Sequence, residues 1–119
     1  MITRKLTLGL TFKEDYPDLR NSKVVDIINE LETYGIEVLA HDPKAEQAEA
    51  MRLLGVSLHK MDEMNNLDAL IIAVAHEEYR QKSIETFIKM LAPGGCLIDV
   101  KSFLDIDQIK KTDINFWRL

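Results

Sequence analysis

At 119 residues the chain is long enough for one domain, spanning 1–119, and too short for two. Twenty acidic against fifteen basic residues leave a formal charge of −5, which argues against nucleic acid or an anionic membrane as a partner, and the single cysteine excludes an internal disulfide and a Cys-rich zinc site. The composition, 46% hydrophobic and 29% charged, is that of an ordinary soluble domain; no apolar run approaches the ~18 residues of a membrane span, and the start lacks a signal-peptide core, so a cytoplasmic protein is expected.

Strand-like and helix-like segments alternate along the chain. Leu6, Leu8, Leu10 and Phe12 recur with period two and predict a strand over 6–12, with Gly9 inside it. Asn21 or Ser22 offers a side-chain oxygen to cap a helix over 22–34, whose face is Val24, Val25, Ile27, Ile28, Leu31 and Tyr34 and whose end is Gly35. A short apolar strand over 36–41 stops at Asp42-Pro43, a helix over 45–54 closes at Gly55, and Val56-Ser57-Leu58 reads as a short edge strand. The run Ala-Leu-Ile-Ile-Ala-Val-Ala within 69–75 is nearly continuous in apolar residues, as a parallel strand covered on both faces requires. A helix over 83–91 is expected to break at Pro93-Gly94-Gly95, a buried strand follows over 96–100, and the tail Ile114 to Leu119 can add a last strand. The expected fold is therefore α/β, a three-layer, Rossmann-like, doubly wound parallel sheet.

In such sheets ligands bind beyond the carboxyl ends of the strands, near the point where strand order reverses. That rule selects Phe12-Lys13, His41-Asp42, Ala75-His76 and the stretch from Asp99 to Ser102. The first loop, 12–22, has no G-x-G-x-x-G turn for a pyrophosphate; it offers Lys13 as a point cation and Arg20 as a planar fork able to grip phosphate. Taken alone, such a run reads more readily as a solvated charged loop. Asp42 stands where a carboxylate often accepts from ribose hydroxyls, and Asp-Pro also favours a plain turn. His76 follows the central strand and could touch a ligand; a simple loop histidine is the other reading. Lys101 is a phosphate candidate at the same edge. The three histidines have no metal-ligand spacing, so no metal site is expected, and Cys96 reads as a packed strand thiol with no base beside it.

The stretch Leu8-Gly9-Leu10-Thr11-Phe12-Lys13, an acidic spacer, then Asp18-Leu19-Arg20-Asn21-Ser22 resembles the opening of the C-terminal domain of the UDP-glucose and GDP-mannose (nucleotide-sugar) dehydrogenases. The resemblance continues through Tyr34 to Val38, His41-Asp42-Pro43, Ile72 to His76, Asp99-Val100-Lys101 and Phe116-Trp117-Arg118-Leu119, and thus covers nearly the whole chain. Tyr16-Pro17-Asp18, Ala73-Val74-Ala75-His76 and the Trp-Arg-Leu ending look most like the branch oxidising UDP-N-acetylhexosamines. The resemblance implies a UDP-sugar-binding domain within a longer polypeptide whose NAD-binding and dimerisation segments lie upstream. The whole enzyme would be a homodimer that oxidises a sugar C6 alcohol to the uronate for surface polysaccharide synthesis. It would do so in two NAD-dependent hydride steps through a cysteine thiohemiacetal and thioester. It implies substrate contacts for Phe12 and Lys13 and a contact of Arg20 with NAD across a cleft. Where the family has a late substrate arginine this chain has Asp99-Val100-Lys101-Ser102, which leaves Lys101 as the nearest cation. No catalytic residue is expected within this chain, which alone is predicted inactive. The alternatives are a stand-alone nucleotide-binding regulatory module and, from Pro93-Gly94-Gly95 before a strand, a small methyltransferase-like domain.

Overall fold

The computed structural model describes residues 4–9, 15, 19 and 22–118. Five strands form one sheet: β1 (Arg4–Leu8), β2 (Glu37–His41), β3 (Leu67–Ile72), β4 (Leu91–Asp99) and β5 (Asn115–Arg118). Their order is β2-β1-β3-β4-β5 and every pairing is parallel. The chain moves outward from β1 to β2 and then returns past β1 to β3, so strand order reverses between β1 and β3. Among the described residues five α-helices and a 3-10 turn (Met61–Glu63) connect the strands: α1 (Val24–Thr33), α2 (Gln47–Leu54), α3 (Glu77–Arg80), α4 (Ile84–Ile88) and α5 (Ile106–Ile109).

The period-two pattern of β3 and β4 divides the core between the two faces of the sheet. Leu70, Ile72 and Leu97 pack on one face with Tyr79 of α3, Phe87 of α4, Leu104 and Ile109 of α5. Ile71 lies on the other with Val24 and Ile28 of α1, Ala40 of β2, Ala50 of α2 and Leu19. Burial on both faces is why β3 reads as an unbroken apolar run after Asp68. The doubly wound parallel sheet expected from the sequence is thus the observed fold, and the tail supplies its fifth strand.

Six local expectations are corrected. β1 ends at Leu8, so Gly9 follows the strand; residues 10–12 of the expected strand lie outside the described residues. The central strand runs 67–72 where 69–75 was expected. The helix expected over 83–91 ends at Ile88, because Leu91 is taken by pairing with Leu67 at the start of β4. Pro93-Gly94-Gly95 does not separate a helix from a strand; it lies inside β4. Between the pairs Leu67↔Leu91 and Ala69↔Cys96, β4 carries three more residues than β3, a bulge that Gly94 accommodates at φ +79°. Of the short edge strand only one bridge forms, Ala40 to Leu58, since the Leu58 N–H is taken by the Gln47 side chain at 3.0 Å. The N-cap of α1 is Lys23, which makes no side-chain capping bond; Ser22 is buried just before it. Asn21, the other expected cap, lies outside the described residues.

Candidate ligand-binding edge

The carboxyl ends of β1, β3 and β4 meet at the reversal point, and Gly9 sets how closely. It is buried at φ +95°, and its N–H donates to the His41 carbonyl at 2.8 Å, tying the end of β1 to the end of β2. A Cβ at Gly9 would stand 2.5 Å from Val74 Cβ and 2.8 Å from Val74 N. The space that a dinucleotide-binding turn leaves open for pyrophosphate is here filled by the segment after β3. Among the described residues, this contact leaves no open turn for a pyrophosphate at the end of β1.

A cavity of about 190 Å³ opens beside this contact, between the start of α1 and the ends of β3 and β4. Lys23, Val24, Ala73, Val74, Val100 and Lys101 line it. Two lysines and the N-terminus of a ten-residue helix thus converge on one space, an arrangement suited to an anion. The volume is below the ~300 Å³ of a typical small-molecule site, so it can take a phosphate-sized part of a nucleotide, not the whole. Lys23 was missed from sequence. Its signal was there: a cation at the start of a helix opposes the macrodipole, a cost that a bound anion offsets.

Asp42 and His76 also come together at this edge. Asp42 Oδ1 accepts from the backbone N–H of Lys44 at 2.7 Å and of Ala45 at 3.1 Å, which is the turn that Asp-Pro predicts. Its Oδ2 lies 2.9 Å from His76 Nε2, with both side chains closed to solvent. The backbone N–H of Asp15, in the β1–α1 loop, donates to His76 Nδ1 at 2.8 Å. Nδ1 is therefore the lone-pair nitrogen, and the ring proton on Nε2 points at the Asp42 carboxylate. Beside them the buried Tyr79 hydroxyl donates to the His41 carbonyl at 3.1 Å and lies 2.8 Å from His41 Nδ1. The carbonyl can only accept, so His41 Nδ1–H donates to the tyrosine oxygen. Burial, assisted by the Asp42 charge, pushes the Tyr79 hydroxyl far above its ordinary pKa, and burial holds His41 below the ordinary 6.5.

Asp15 docks the β1–α1 loop onto the corner between β3 and α3. Its Oδ1 accepts from the Glu77 N–H at 2.7 Å and its Oδ2 from Arg80 at 3.0 Å. Arg80 also donates to Glu77 Oε2 at 2.6 Å and to the Ala75 carbonyl. The Glu77 N–H, followed by Arg80, holds the exposed Asp15 carboxyl below its usual range. Among the sequence-selected residues, Asp42, His76 and Lys101 therefore share one end of the sheet, whereas Phe12, Lys13 and Arg20 lie outside the described residues. Cys96 sits within β4, partly buried, with Sγ 4.0 Å from the Leu97 carbonyl. Among the described residues no group of three or more His, Cys, Asp or Glu is placed to hold a metal, and no helix is long and apolar enough to cross a membrane.

A doubly wound parallel sheet with an anion-suited cavity at its reversal point defines a nucleotide-binding α/β domain. The chain belongs to the UDP-glucose/GDP-mannose dehydrogenase family and matches its UDP binding domain over residues 6–106. It is 37% identical over 112 residues to Protein CapL of Staphylococcus aureus, covering 94% of this chain and 26% of that protein. It is 41% identical over 105 residues to the UDP-N-acetyl-D-glucosamine 6-dehydrogenase of Pseudomonas aeruginosa, covering 88% and 25%. Among solved structures it resembles the UDP-N-acetyl-mannosamine dehydrogenase Cap5O from S. aureus, with a TM-score of 0.69 and 26% identity over 98% of this chain and 25% of that one. The NDP-N-acetyl-D-galactosaminuronic acid dehydrogenase from Methanosarcina mazei Go1 shares the fold, with a TM-score of 0.83 at 20% identity over 98% of this chain and 24% of that one. The chain spans about a quarter of the length of the relatives it matches. The family resemblance read from the residues is borne out. The regulatory-module and methyltransferase-like alternatives are not favoured.

Proposed function

We propose that this domain grips the UDP part of a UDP-N-acetylhexosamine for an NAD-dependent 6-dehydrogenase, in which the sugar C6 alcohol becomes a carboxylate. The observation that carries the reading is the convergence of Lys23, Lys101 and the α1 N-terminus on one cavity at the reversal point, in a chain matching the family's UDP binding domain. Phe12 and Lys13, placed by the family motif just after β1, contribute substrate contacts, with Lys13 on the diphosphate. Lys101 serves where the family has an arginine, as a point charge without an arginine's two-pronged geometry. Asp42 and His76 brace the edge from within.

NAD, when bound, supplies the hydride acceptor. This domain's contribution to it is Arg20, reaching across a cleft, a reading supported by the close approach of Gly9 to Val74 at the end of β1. The chain by itself carries no turnover. The rest of the polypeptide, a homodimeric assembly and a cytoplasmic setting complete the proposal.

Calorimetric titration of UDP into the purified chain tests it. A lysine–phosphate contact is worth about 1.5–3 kcal/mol, or roughly tenfold or more in Kd. Lys13→Ala should weaken UDP by at least that factor, with Lys101→Ala giving a smaller loss. UDP affinity unchanged in both variants would overturn the assignment.

A further inference from the structure

We infer that His76 is a positioning residue for ligand binding: through Nδ1 it holds the backbone of Asp15 and so sets the β1–α1 loop that carries Phe12 and Lys13. The inference rests on the proposal that this loop binds the UDP-sugar.

Three features carry it. First, Asp15 is an exposed, positive-φ residue (φ 58°), so neither burial nor backbone preference holds it in place. Second, its contacts among the described residues reach the β3–α3 corner, 61 to 65 residues away in sequence: His76 Nδ1, the Glu77 N–H and Arg80. Third, the far side of His76 is locked to buried Asp42, whose other oxygen is held by the Asp42–Ala45 turn. The imidazole is thereby fixed in tautomer and orientation, and its lone pair faces the loop. The second half of the loop is pinned independently by Leu19, which is fully buried against α1 and the sheet. Asp15 is thus a tie between the β1–α1 connection and the β3–α3 corner, and Lys13 stands two residues before it in the chain.

The two nitrogens of His76 can be tested separately. Asparagine places an oxygen near the position of Nδ1 and keeps an acceptor for the Asp15 N–H while losing Asp42. Glutamine places an NH₂ near Nε2 and keeps the donor to Asp42 while losing the acceptor. His76→Gln should therefore be the more stable variant and the weaker binder. If release of the tether leaves about a tenth of molecules binding-competent, UDP affinity falls about tenfold. Asp15 amide exchange, read by NMR, should accelerate by a similar factor in His76→Gln and stay near wild type in His76→Asn. Asp15→Gly, which keeps the N–H and suits the positive φ, removes the carboxylate contacts from an exposed site; it should weaken UDP several-fold with little change in melting temperature.

A role in stability alone predicts the reverse order, with affinity following stability. Wild-type UDP affinity in His76→Gln, or, should the His76 variants fail to fold, a wild-type Asp15 amide that exchanges as fast as an unprotected exposed amide, would overturn the inference. If the wild-type chain does not bind UDP, the proposed function fails. The exchange contrast between His76→Gln and His76→Asn then still decides the tether: equal Asp15 protection in the two overturns it.

Discussion

Gly9→Ala should lower the melting temperature by about 10–15 °C, the largest loss expected from adding one methyl group anywhere at the ligand edge. A non-glycine residue at left-handed φ costs about 1–2 kcal/mol, and forcing a methyl into a filled space about 1–3 kcal/mol. A domain of this size loses roughly 3–5 °C per kcal/mol. The clash is with Val74 Cβ, N and Cγ2, at 2.5, 2.8 and 2.9 Å, and trimming the valine to alanine removes only Cγ2, leaving the two closest atoms in place. Gly9→Ala/Val74→Ala should therefore be no more stable than Gly9→Ala. Thermal unfolding followed by circular dichroism reads both, and a Gly9→Ala melting temperature within about 3 °C of wild type, less than ~1 kcal/mol, would contradict the close approach of β1 to the segment after β3.

The second large effect is expected from Asp42→Asn, a substitution that keeps the shape and removes the charge. The introduced amide can satisfy the Lys44 and Ala45 N–H groups with its oxygen, which turns its NH₂ toward the His76 Nε2–H. Flipping the amide moves the conflict to the two backbone donors. Switching the His76 tautomer instead brings an Nδ1–H against the Asp15 N–H. Every arrangement sets donor against donor, and the Asp42–His76 contact at its centre is closed to water. Loss of a charge-assisted bond plus one unsatisfied buried donor amounts to about 3 kcal/mol, and chemical denaturation should show that loss with an unchanged m-value. A change below about 1 kcal/mol would mean that Asp42 and His76 do not act as one buried unit.

The parallel α/β architecture was legible because each local signal agreed with the global one. The apolar run of β3, the amphipathic face of α1 and the stops at Gly35 and Gly55 all point to strand–helix alternation. What was not legible depends on distant partners. Pro93-Gly94-Gly95 reads locally as a break, yet the pairing of Leu91 with Leu67 turns it into a bulge within β4. His76 reads as a loop histidine because its partners, Asp42 and Asp15, lie 34 and 61 residues away. Asp42 carried two readings in sequence, and its turn reading is the one whose hydrogen bonds form. Lys23 was read as part of a helix start, although its charge at that end of α1 was the visible anomaly. Phe12, Lys13 and Arg20 were singled out by motif and lie outside the described residues, so their roles rest on the family's pattern.

The location of the UDP site is most directly tested by following the backbone amide resonances of the chain during titration with UDP. Shifts should concentrate at Gly9, Lys23, Val24, Val74 and Lys101, with none at Leu91, Gly94 or Thr112 at the opposite end of the sheet. Shifts centred on Gly94 and Thr112, on the groove formed by His59 and Lys60 beside β2, or on no residue at millimolar UDP would contradict that location.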